Sequence, residues 1–300
     1  MIVSIVGPTG VGKTKLAIAL AKRFDGEIVS ADSVQIYKGL DIGSAKASPA
    51  EQKEVSHHLL DLVEPSEEYS VANFQKDARA AFEDIQKRGK LPFLVGGTGF
   101  YQKSVLHDFR FENTYRDKAF EAELANYENT ALYEKLKKTD PKAASNIHPN
   151  NRKRLLHALS RAKRENPIGE EARGERKLYD YVMIALHMPR EALHRRIEER
   201  VETMFEEGLL AEAVRLYHQR PSKAEEAIGY KECFAYLDGR ISLEEAKKRI
   251  VIHSRQYAKR QYTYFKNQFD AHWLSVEETS FEKTVEEAAS IIERKCKNIG

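Results

Sequence analysis

The clearest chemical signal in this sequence is a phosphate-binding loop near its start. Residues 7–14 read Gly-Pro-Thr-Gly-Val-Gly-Lys-Thr and match the pattern G-x-x-x-x-G-K-[ST]. Glycines let backbone N–H groups turn toward phosphate oxygens, and a helix N-terminus adds partial positive charge. We therefore assign the whole loop to phosphate binding: Gly7, Pro8, Thr9, Gly10, Val11, Gly12, Lys13 and Thr14. The Lys13 ammonium would neutralise phosphate charge, and the Thr14 hydroxyl would ligate Mg²⁺.

A carboxylate and a hydroxyl stand at the ends of two other apolar runs. An ordinary P-loop ATPase has an apolar strand ending in an acid, but the run 91–95 ends in Gly-Gly-Thr-Gly. The acid is instead Asp32, directly after the run 27–31. Because the carboxyl ends of parallel strands face the ligand crevice, Asp32 could act as a general base there. A helix cap or a contact to magnesium-bound water is the alternative for Asp32, and Thr98 could equally be a turn residue.

A parallel sheet is needed to position these groups. The first hundred residues alternate short apolar runs with amphipathic segments, which is typical of βα units. We predict strands at 2–6, 27–31, 59–63, 91–95, 179–186 and 271–274, and helices at 13–24, 71–88, 190–218, 224–237, 243–267 and near the C-terminus. Residues 113–177 show helical patterning without a convincing strand. The fold predicted is α/β, with a P-loop NTPase-like parallel sheet core in residues 1–112 and 178–300 and a mainly helical insertion domain at 113–177.

Charge is nearly balanced over the 300 residues, with 49 Lys and Arg against 46 acids. Any nucleic-acid site must therefore come from local clusters. Two acid-free basic stretches, 146–164 and 247–266, favour contacts to a polyanion, with a solvated helix face as the alternative. Arg196 and Arg200 could both reach one anion, although the neighbouring glutamates favour surface ion pairing. The two cysteines form no CxxC pair and no apolar run reaches about 18 residues, so we expect a cytoplasmic protein without a membrane partner.

Six motifs, read together in order, resemble the bacterial type of tRNA dimethylallyltransferases (tRNA isopentenyltransferases). Besides the phosphate loop, they are Ala-Asp-Ser-Val-Gln-Ile-Tyr-Lys-Gly-Leu-Asp-Ile-Gly-Ser-Ala-Lys at 31–46, Leu-Val-Gly-Gly-Thr-Gly-Phe-Tyr at 94–101, Ile-His-Pro-Asn at 147–150, Ala-Ile-Gly-Tyr-Lys-Glu at 227–232 and Ser-Arg-Gln-Tyr-Ala-Lys-Arg-Gln at 254–261. They span nearly the whole chain, so the resemblance is far more specific than a phosphate loop alone.

The resemblance implies a reaction and its participants. A dimethylallyl group would pass from dimethylallyl diphosphate to N6 of the adenosine at position 37, 3′-adjacent to the anticodon, in tRNAs that read codons beginning with U. Diphosphate would be released, Mg²⁺ would be the cofactor, and the phosphate loop would hold the prenyl donor rather than ATP. The macromolecular partner would be the tRNA anticodon arm, bound by a monomer.

The resemblance also implies roles for individual residues. Asp32, Thr9 and Arg200 would be catalytic, with Asp32 accepting a hydrogen bond or a proton from N6. The residues expected to contact tRNA are Asp32, Ser33, Val34, Gln35, Thr98, Lys153, Arg154, Leu155, Leu156, His157, Ala227, Ile228, Gly229, Tyr230, Lys231, Arg255 and Lys259. Lys153 stands where the family usually has Gln, and His157 where it usually has Arg; both substitutions keep or add positive character.

Three alternative functions fit parts of the sequence. A prenyltransferase acting on a free adenine nucleotide would need neither basic cluster nor a helical insertion. A small-molecule P-loop kinase would transfer a phosphoryl group. A nucleotide-gated RNA-binding protein would bind RNA without releasing diphosphate.

Overall fold

A six-stranded parallel sheet forms the centre of the computed structural model, which describes residues 1–111, 118–163, 176–277 and 280–297. The strands are β1 (Ile2–Val6), β2 (Gly26–Ser30), β3 (His57–His58), β4 (Leu91–Val95), β5 (Tyr181–His187) and β6 (His272–Ser275). Their spatial order is β3-β2-β4-β1-β5-β6, and all neighbouring pairs are parallel. The predicted α/β fold with a parallel core is confirmed.

Helices cover both faces of this sheet, which is why the central strands are continuous apolar runs. Within the described residues the helices are α1 (Lys13–Arg23), α2 (Pro49–Glu54), α3 (Val71–Lys87), α4 (Gly99–Leu106), α5 (Lys118–Glu123), α6 (Asn129–Thr139), α7 (Pro141–Ser145), α8 (Arg152–Ala162), α9 (Arg190–Glu206), α10 (Leu209–Tyr217), α11 (Ser222–Glu226), α12 (Tyr230–Leu237), α13 (Leu243–Gln268) and α14 (Phe281–Lys297). Alternate residues of β1 enter different cores: Ile2 and Val6 pack with α3, α4 and α13, whereas Val3 and Ile5 pack with α1 and α14. In the ranges described, none of these helices is long and apolar enough to cross a membrane.

The chain divides into two compact units. The first consists of Met1–His107 with Lys177–Gly300 and contains the sheet. The second is Asp108–Arg176, whose helices α6 and α8 pack around a core that includes Leu132, Leu136 and Leu155. Arg164, part of the first basic stretch, lies outside the described residues.

Three predicted elements differ from the structure, and backbone angles explain each difference. Residues 59–63 do not form a strand, because Leu59 and Asp61 have φ of +63° and +53° in the left-handed region. The two-residue strand β3 precedes them. The helix predicted over 190–218 breaks at Gly208, with φ of +105°, and the one over 224–237 breaks at Gly229, with φ of +102°. Both glycines therefore separate pairs of helices where apolar periodicity alone predicts one.

A buried carboxylate anchors the edge of the sheet. Glu27, on β2, is 3% exposed and accepts hydrogen bonds from Arg88, including one of 2.8 Å from Nη2 to Oε2. His58 Nε2 of β3 lies 2.7 Å from Oε2, and Lys90 Nζ lies 3.2 Å from Oε1. Hydrogen bonding to Arg88, opposed by burial, lowers the pKa of Glu27 to about 2. The short strand β3 is thus held to β2 by side-chain contacts as well as by the ladder.

Replacing this carboxylate should destabilise the protein. We expect Glu27→Gln to lower the free energy of unfolding at pH 7 by about 2 kcal/mol, measured by urea denaturation. Because the folded-state pKa is depressed, this contribution is present above pH 4.5 and is lost as pH falls toward 2. As a control, Glu286→Gln removes a surface pair with Arg23 and should leave the free energy of unfolding nearly unchanged. Equal changes in the free energy of unfolding for the two substitutions at pH 7 would contradict the stabilising role of Glu27.

Candidate active site

The phosphate loop lies between β1 and α1, as predicted. Gly10 and Gly12 have φ of +82° and +104°, which favour glycine at both positions. A Cβ atom at Gly7 would lie 2.6 Å from the carbonyl oxygen of Leu186, so no side chain fits there. The Lys13 ammonium donates hydrogen bonds to the carbonyls of Gly7 and Pro8 at 3.0 and 2.9 Å. Its charge is therefore held against the loop that would surround a phosphate.

A single buried amide joins this loop to the Gly-Gly-Thr-Gly loop after β4. Gln261, on α13, accepts a hydrogen bond at Oε1 from the N–H of Thr9 at 2.8 Å. Its Nε2 donates to the carbonyl of Gly97 at 3.0 Å. A Cβ atom at Gly97 would lie 2.0 Å from that nitrogen, so glycine makes the approach possible. The separation of the two loops is thus set by one side chain, which sequence reasoning placed in the family motif without giving it a role.

Asp32 and Thr98 are brought together at the same edge of the sheet. Asp32 Oδ1 accepts hydrogen bonds from the N–H groups of Val34 at 2.8 Å and Gln35 at 3.4 Å. Thr98 Oγ1 accepts one from the N–H of Ser33 at 3.2 Å. These bonds close a turn, and no helix begins in the described residues directly after Asp32, so the helix-cap alternative is wrong. Among the described contacts Oδ2 has no hydrogen-bond partner, which leaves it available to a ligand.

Two cavities meet at these residues. The first chamber, about 450 Å³, is lined by residues of the phosphate loop, including Lys13 and Thr14, and by Gln35. The second chamber, about 310 Å³, is lined by Ser33, Val34 and parts of α9, α11 and α13. The residues common to both linings are Thr9, Asp32, Ser44, Arg200 and Tyr257. A ligand in one chamber could therefore react with a ligand in the other at this junction.

Two cations and one carboxylate lie at or beside the junction. Arg200 Nη1, on α9, donates to Thr9 Oγ1 at 3.3 Å. The sequence-based interpretation of Arg200 as a surface ion-pairing residue is therefore wrong. Burial, reinforced by Arg200 and opposed by Asp32, lowers the pKa of Lys13 to about 7. Burial likewise lowers the pKa of Arg200. These two cations would be stabilised by an anion carrying several charges.

The residues predicted to contact tRNA fall in different places. Ser33, Val34, Ala227, Ile228, Gly229 and Lys231 line the second chamber. Gln35 lines the first chamber instead, where its amide donates to the carbonyls of Ser44 and Ala45. Tyr230 and Leu155 are fully buried, so their side chains pack in cores and offer no surface to RNA.

The other residues predicted to contact tRNA lie on α8 and α13. Lys153 and Arg154 are exposed on α8 of the helical unit, where Leu156 and His157 are half-buried. Arg255 and Lys259, on α13, line a separate cavity of about 650 Å³. Arg255 also donates to Glu198 at 2.5 Å.

Two further residues of the chambers carried no functional assignment in the sequence. Helical spacing predicted only that Tyr257 faces inward, yet it lines both chambers, and burial raises its pKa to about 12. Lys223 Nζ donates to Ser33 Oγ at 3.3 Å in the second chamber. A tyrosine on an amphipathic helix and a lysine in a polar segment give no local signal of such contacts.

Comparisons with known proteins agree with this architecture. The family profile described as IPP transferase matches residues 35–268, and the one described as isopentenyl transferase matches residues 1–66. The tRNA dimethylallyltransferase of Anoxybacillus flavithermus is 46% identical over 300 residues, covering 98% of this chain and 96% of that protein.

Solved structures give the same result. The full-length tRNA isopentenylpyrophosphate transferase of Bacillus halodurans is 43% identical, with a TM-score of 0.75, and the match covers 99% of this chain and 97% of that one. A eukaryotic dimethylallyltransferase acting on tRNA is 30% identical, with a TM-score of 0.82, over 97% of this chain and 77% of that one.

The depressed pKa of Lys13 predicts pH-dependent binding of inorganic pyrophosphate. Above pH 7 the free protein loses the Lys13 proton, and a bound anion restores it, so affinity should fall by up to about tenfold per pH unit. Calorimetry at pH 8 in buffers of different ionisation enthalpy should show uptake of up to about one proton that Lys13→Arg does not show. Identical proton uptake in both proteins would contradict the assignment.

Breaking the amide contact should weaken the same binding. Gln261→Glu keeps an acceptor for Thr9 but loses the donor to Gly97 and adds negative charge beside the phosphate loop. We expect pyrophosphate affinity, measured by calorimetry, to fall at least about tenfold. Gln268→Glu adds the same charge at the exposed end of α13 and retains its acceptor for Lys103, so this variant should bind pyrophosphate with wild-type affinity. Equal losses of pyrophosphate affinity in both variants would show a long-range charge effect instead.

Proposed function

This chain belongs to the tRNA dimethylallyltransferase family, and we propose that its two chambers hold the two substrates of the family's reaction. That reaction transfers the dimethylallyl group of dimethylallyl diphosphate to adenosine 37 of tRNA. The observation that carries the proposal is the shared lining of the chambers by Thr9, Asp32, Arg200 and Tyr257. The diphosphate would lie in the first chamber and the adenine base in the second.

The first chamber suits the leaving group. As the C–O bond of the donor breaks, positive charge develops on the allylic carbon and negative charge collects on the departing diphosphate. Lys13, Arg200 and the N–H groups of the phosphate loop would stabilise that negative charge without having to reorganise. The contact of Arg200 with Thr9 supports placing the bridging oxygen near the junction.

The second chamber suits the acceptor. The adenine must leave its stack to enter a chamber between Val34 and Ile228, which is the general requirement for chemistry on a base. Its N6 would form the new C–N bond as the C–O bond breaks, and the N6 proton would pass to Asp32 Oδ2. Since N6 becomes acidic only as the bond forms, Asp32 needs to orient N6 first and accept its proton later.

A magnesium ion would be compatible with the first chamber. Mg²⁺ prefers oxygen ligands and usually binds through one or two protein groups together with phosphates and water. The Thr14 hydroxyl and the Asp32 carboxylate both line this chamber, and the described residues contain no larger cluster of potential metal ligands. Thr14 would hold the ion, which when bound supplies further charge neutralisation for the diphosphate.

The remaining assignments concern the tRNA itself. Lys153 and Arg154 of the helical unit, and Arg255 and Lys259 of α13, would contact the backbone of the anticodon arm through charge. Selection of tRNAs that read codons beginning with U, action as a monomer and a cytoplasmic location complete the proposal.

Label transfer from radiolabelled dimethylallyl diphosphate tests the chemistry. Unmodified tRNA with adenosines at positions 36 and 37 should accept the label, and free AMP and ATP should not. Asp32→Asn keeps an acceptor for the N–H of Val34 but removes the base, so turnover should fall by about 10²-fold or more with tRNA binding nearly unchanged. Asp25→Asn, which changes an exposed carboxylate in a turn, is the matched control and should keep wild-type turnover.

Three outcomes would contradict the proposal. Label in AMP or ATP would indicate a nucleotide prenyltransferase, and absence of label from every acceptor would refute prenyl transfer. Parallel losses of tRNA binding and turnover in Asp32→Asn would remove Asp32 from its assigned role.

A further inference from the structure

A second buried carboxylate lies behind the second chamber. Glu212, on α10, is 1% exposed. Its Oε2 accepts hydrogen bonds from the N–H groups of Asp41 at 3.2 Å and Ile42 at 3.0 Å. Its Oε1 accepts from the N–H of Gly43 at 3.1 Å and from the Tyr230 hydroxyl at 2.6 Å. Three successive backbone groups and one side chain thus converge on one carboxylate.

This arrangement is unusual because the charge has no cation among its described hydrogen-bond partners. A buried carboxylate is costly unless several donors satisfy it, and four donors do so here. The same donors cannot be satisfied by an apolar residue of similar size, because three of them are backbone N–H groups of a loop without regular structure. Glu212 therefore holds the conformation of residues 41–43.

The carboxylate also joins two adjoining segments of the second chamber's lining. Gly43 and Ser44 belong to one segment and Ile228 and Gly229 to the other, and a Cβ atom at Gly229 would lie 3.8 Å from Gly43 Cα. A Cβ atom at Gly43 would lie 2.5 Å from Tyr230 Cζ, so the loop packs directly against the tyrosine ring. Because Glu212 binds both the Gly43 N–H and the Tyr230 hydroxyl, it holds these two segments against each other.

We propose that Glu212 is a positioning residue that fixes two adjoining segments of the second chamber's lining and so places the adenine base relative to Asp32. The inference rests on the proposed function, which assigns this chamber to the base. Glu212 lines neither chamber and would touch neither substrate. It would act through the loop that ends in Ser44, which lies at the junction of the two chambers.

The diphosphate side has separate anchors. Gln35 donates to the carbonyls of Ser44 and Ala45 at 3.2 and 3.1 Å. Lys46 Nζ lies 2.5 Å from Asp61 Oδ1 and 2.6 Å from Asp41 Oδ1 and donates to the carbonyl of Tyr37 at 2.9 Å, so the side chain of Asp41 is held without Glu212. None of these contacts involves Glu212, so its loss should alter the base side while leaving the first chamber largely intact.

The decisive variant is Glu212→Gln. It keeps the shape of the side chain but directs an NH₂ group toward N–H or O–H donors. We expect kcat/KM for tRNA to fall by about 10²-fold, because a displacement of about 1 Å at a reacting centre has that effect. The dissociation constant for dimethylallyl diphosphate should stay within about twofold of wild type. In tRNA carrying 2-aminopurine at position 37, the fluorescence increase that reports an unstacked base should be smaller than with wild type.

Two further variants complete the test. Tyr230→Phe keeps the ring against Gly43 and removes one donor, so kcat/KM for tRNA should fall about fivefold. It also keeps the inference testable if Glu212→Gln does not fold. Glu206→Gln changes an exposed acid on α9 and should match wild type in all three measurements.

Several results would overturn the inference. Wild-type kinetics in Glu212→Gln, or in Tyr230→Phe if the first variant does not fold, would show that the contact does not place the base. Loss of diphosphate binding in proportion to loss of turnover would show that Glu212 only stabilises the fold. If the wild-type protein transferred no label, the proposed function itself would be refuted. That result differs from all of the variant results above, so the two failures can be told apart.

Discussion

The geometry of the candidate site depends on the buried amide of Gln261. A parallel sheet brings the loops after its strands to one edge, but it does not fix their separation. Gln261 does so by bonding the N–H of Thr9 and the carbonyl of Gly97 at once. Tyr257, one turn earlier on α13, lines both chambers. One helix from late in the sequence thereby ties the phosphate loop to the Gly-Gly-Thr-Gly loop.

Charge makes the junction reactive toward one class of ligand. Burial and, after it, the neighbouring Arg200 lower the pKa of Lys13 to about 7, and Asp32 only partly offsets them. Desolvated cations strongly favour an anion that can accept several hydrogen bonds, and a diphosphate has the required charge and oxygens. The same desolvation strengthens their interaction with charge that develops on a leaving group. The charge of this site therefore favours an anionic ligand over a neutral one.

Local patterns predicted the parts of this molecule that local backbone geometry dictates. The phosphate loop was predictable because Gly10 and Gly12 need left-handed angles, and Asp32 because it follows a buried strand. The contacts of Gln261 and Glu212 join residues separated by 252 and about 170 positions, and such contacts leave no periodic signal. The helix breaks at Gly208 and Gly229 were missed because apolar spacing continues across each glycine. The family resemblance supplied Arg200, whose acidic neighbours had favoured a surface role.

A crystal structure of the ternary complex would show whether the two substrates meet between the two chambers. The complex would contain an anticodon stem-loop and an unreactive thio analogue of dimethylallyl diphosphate. We expect the diphosphate against Lys13 and the phosphate loop, the adenine between Val34 and Ile228, and N6 within hydrogen-bonding distance of Asp32. An adenine bound outside the second chamber, or a diphosphate away from the phosphate loop, would contradict this arrangement.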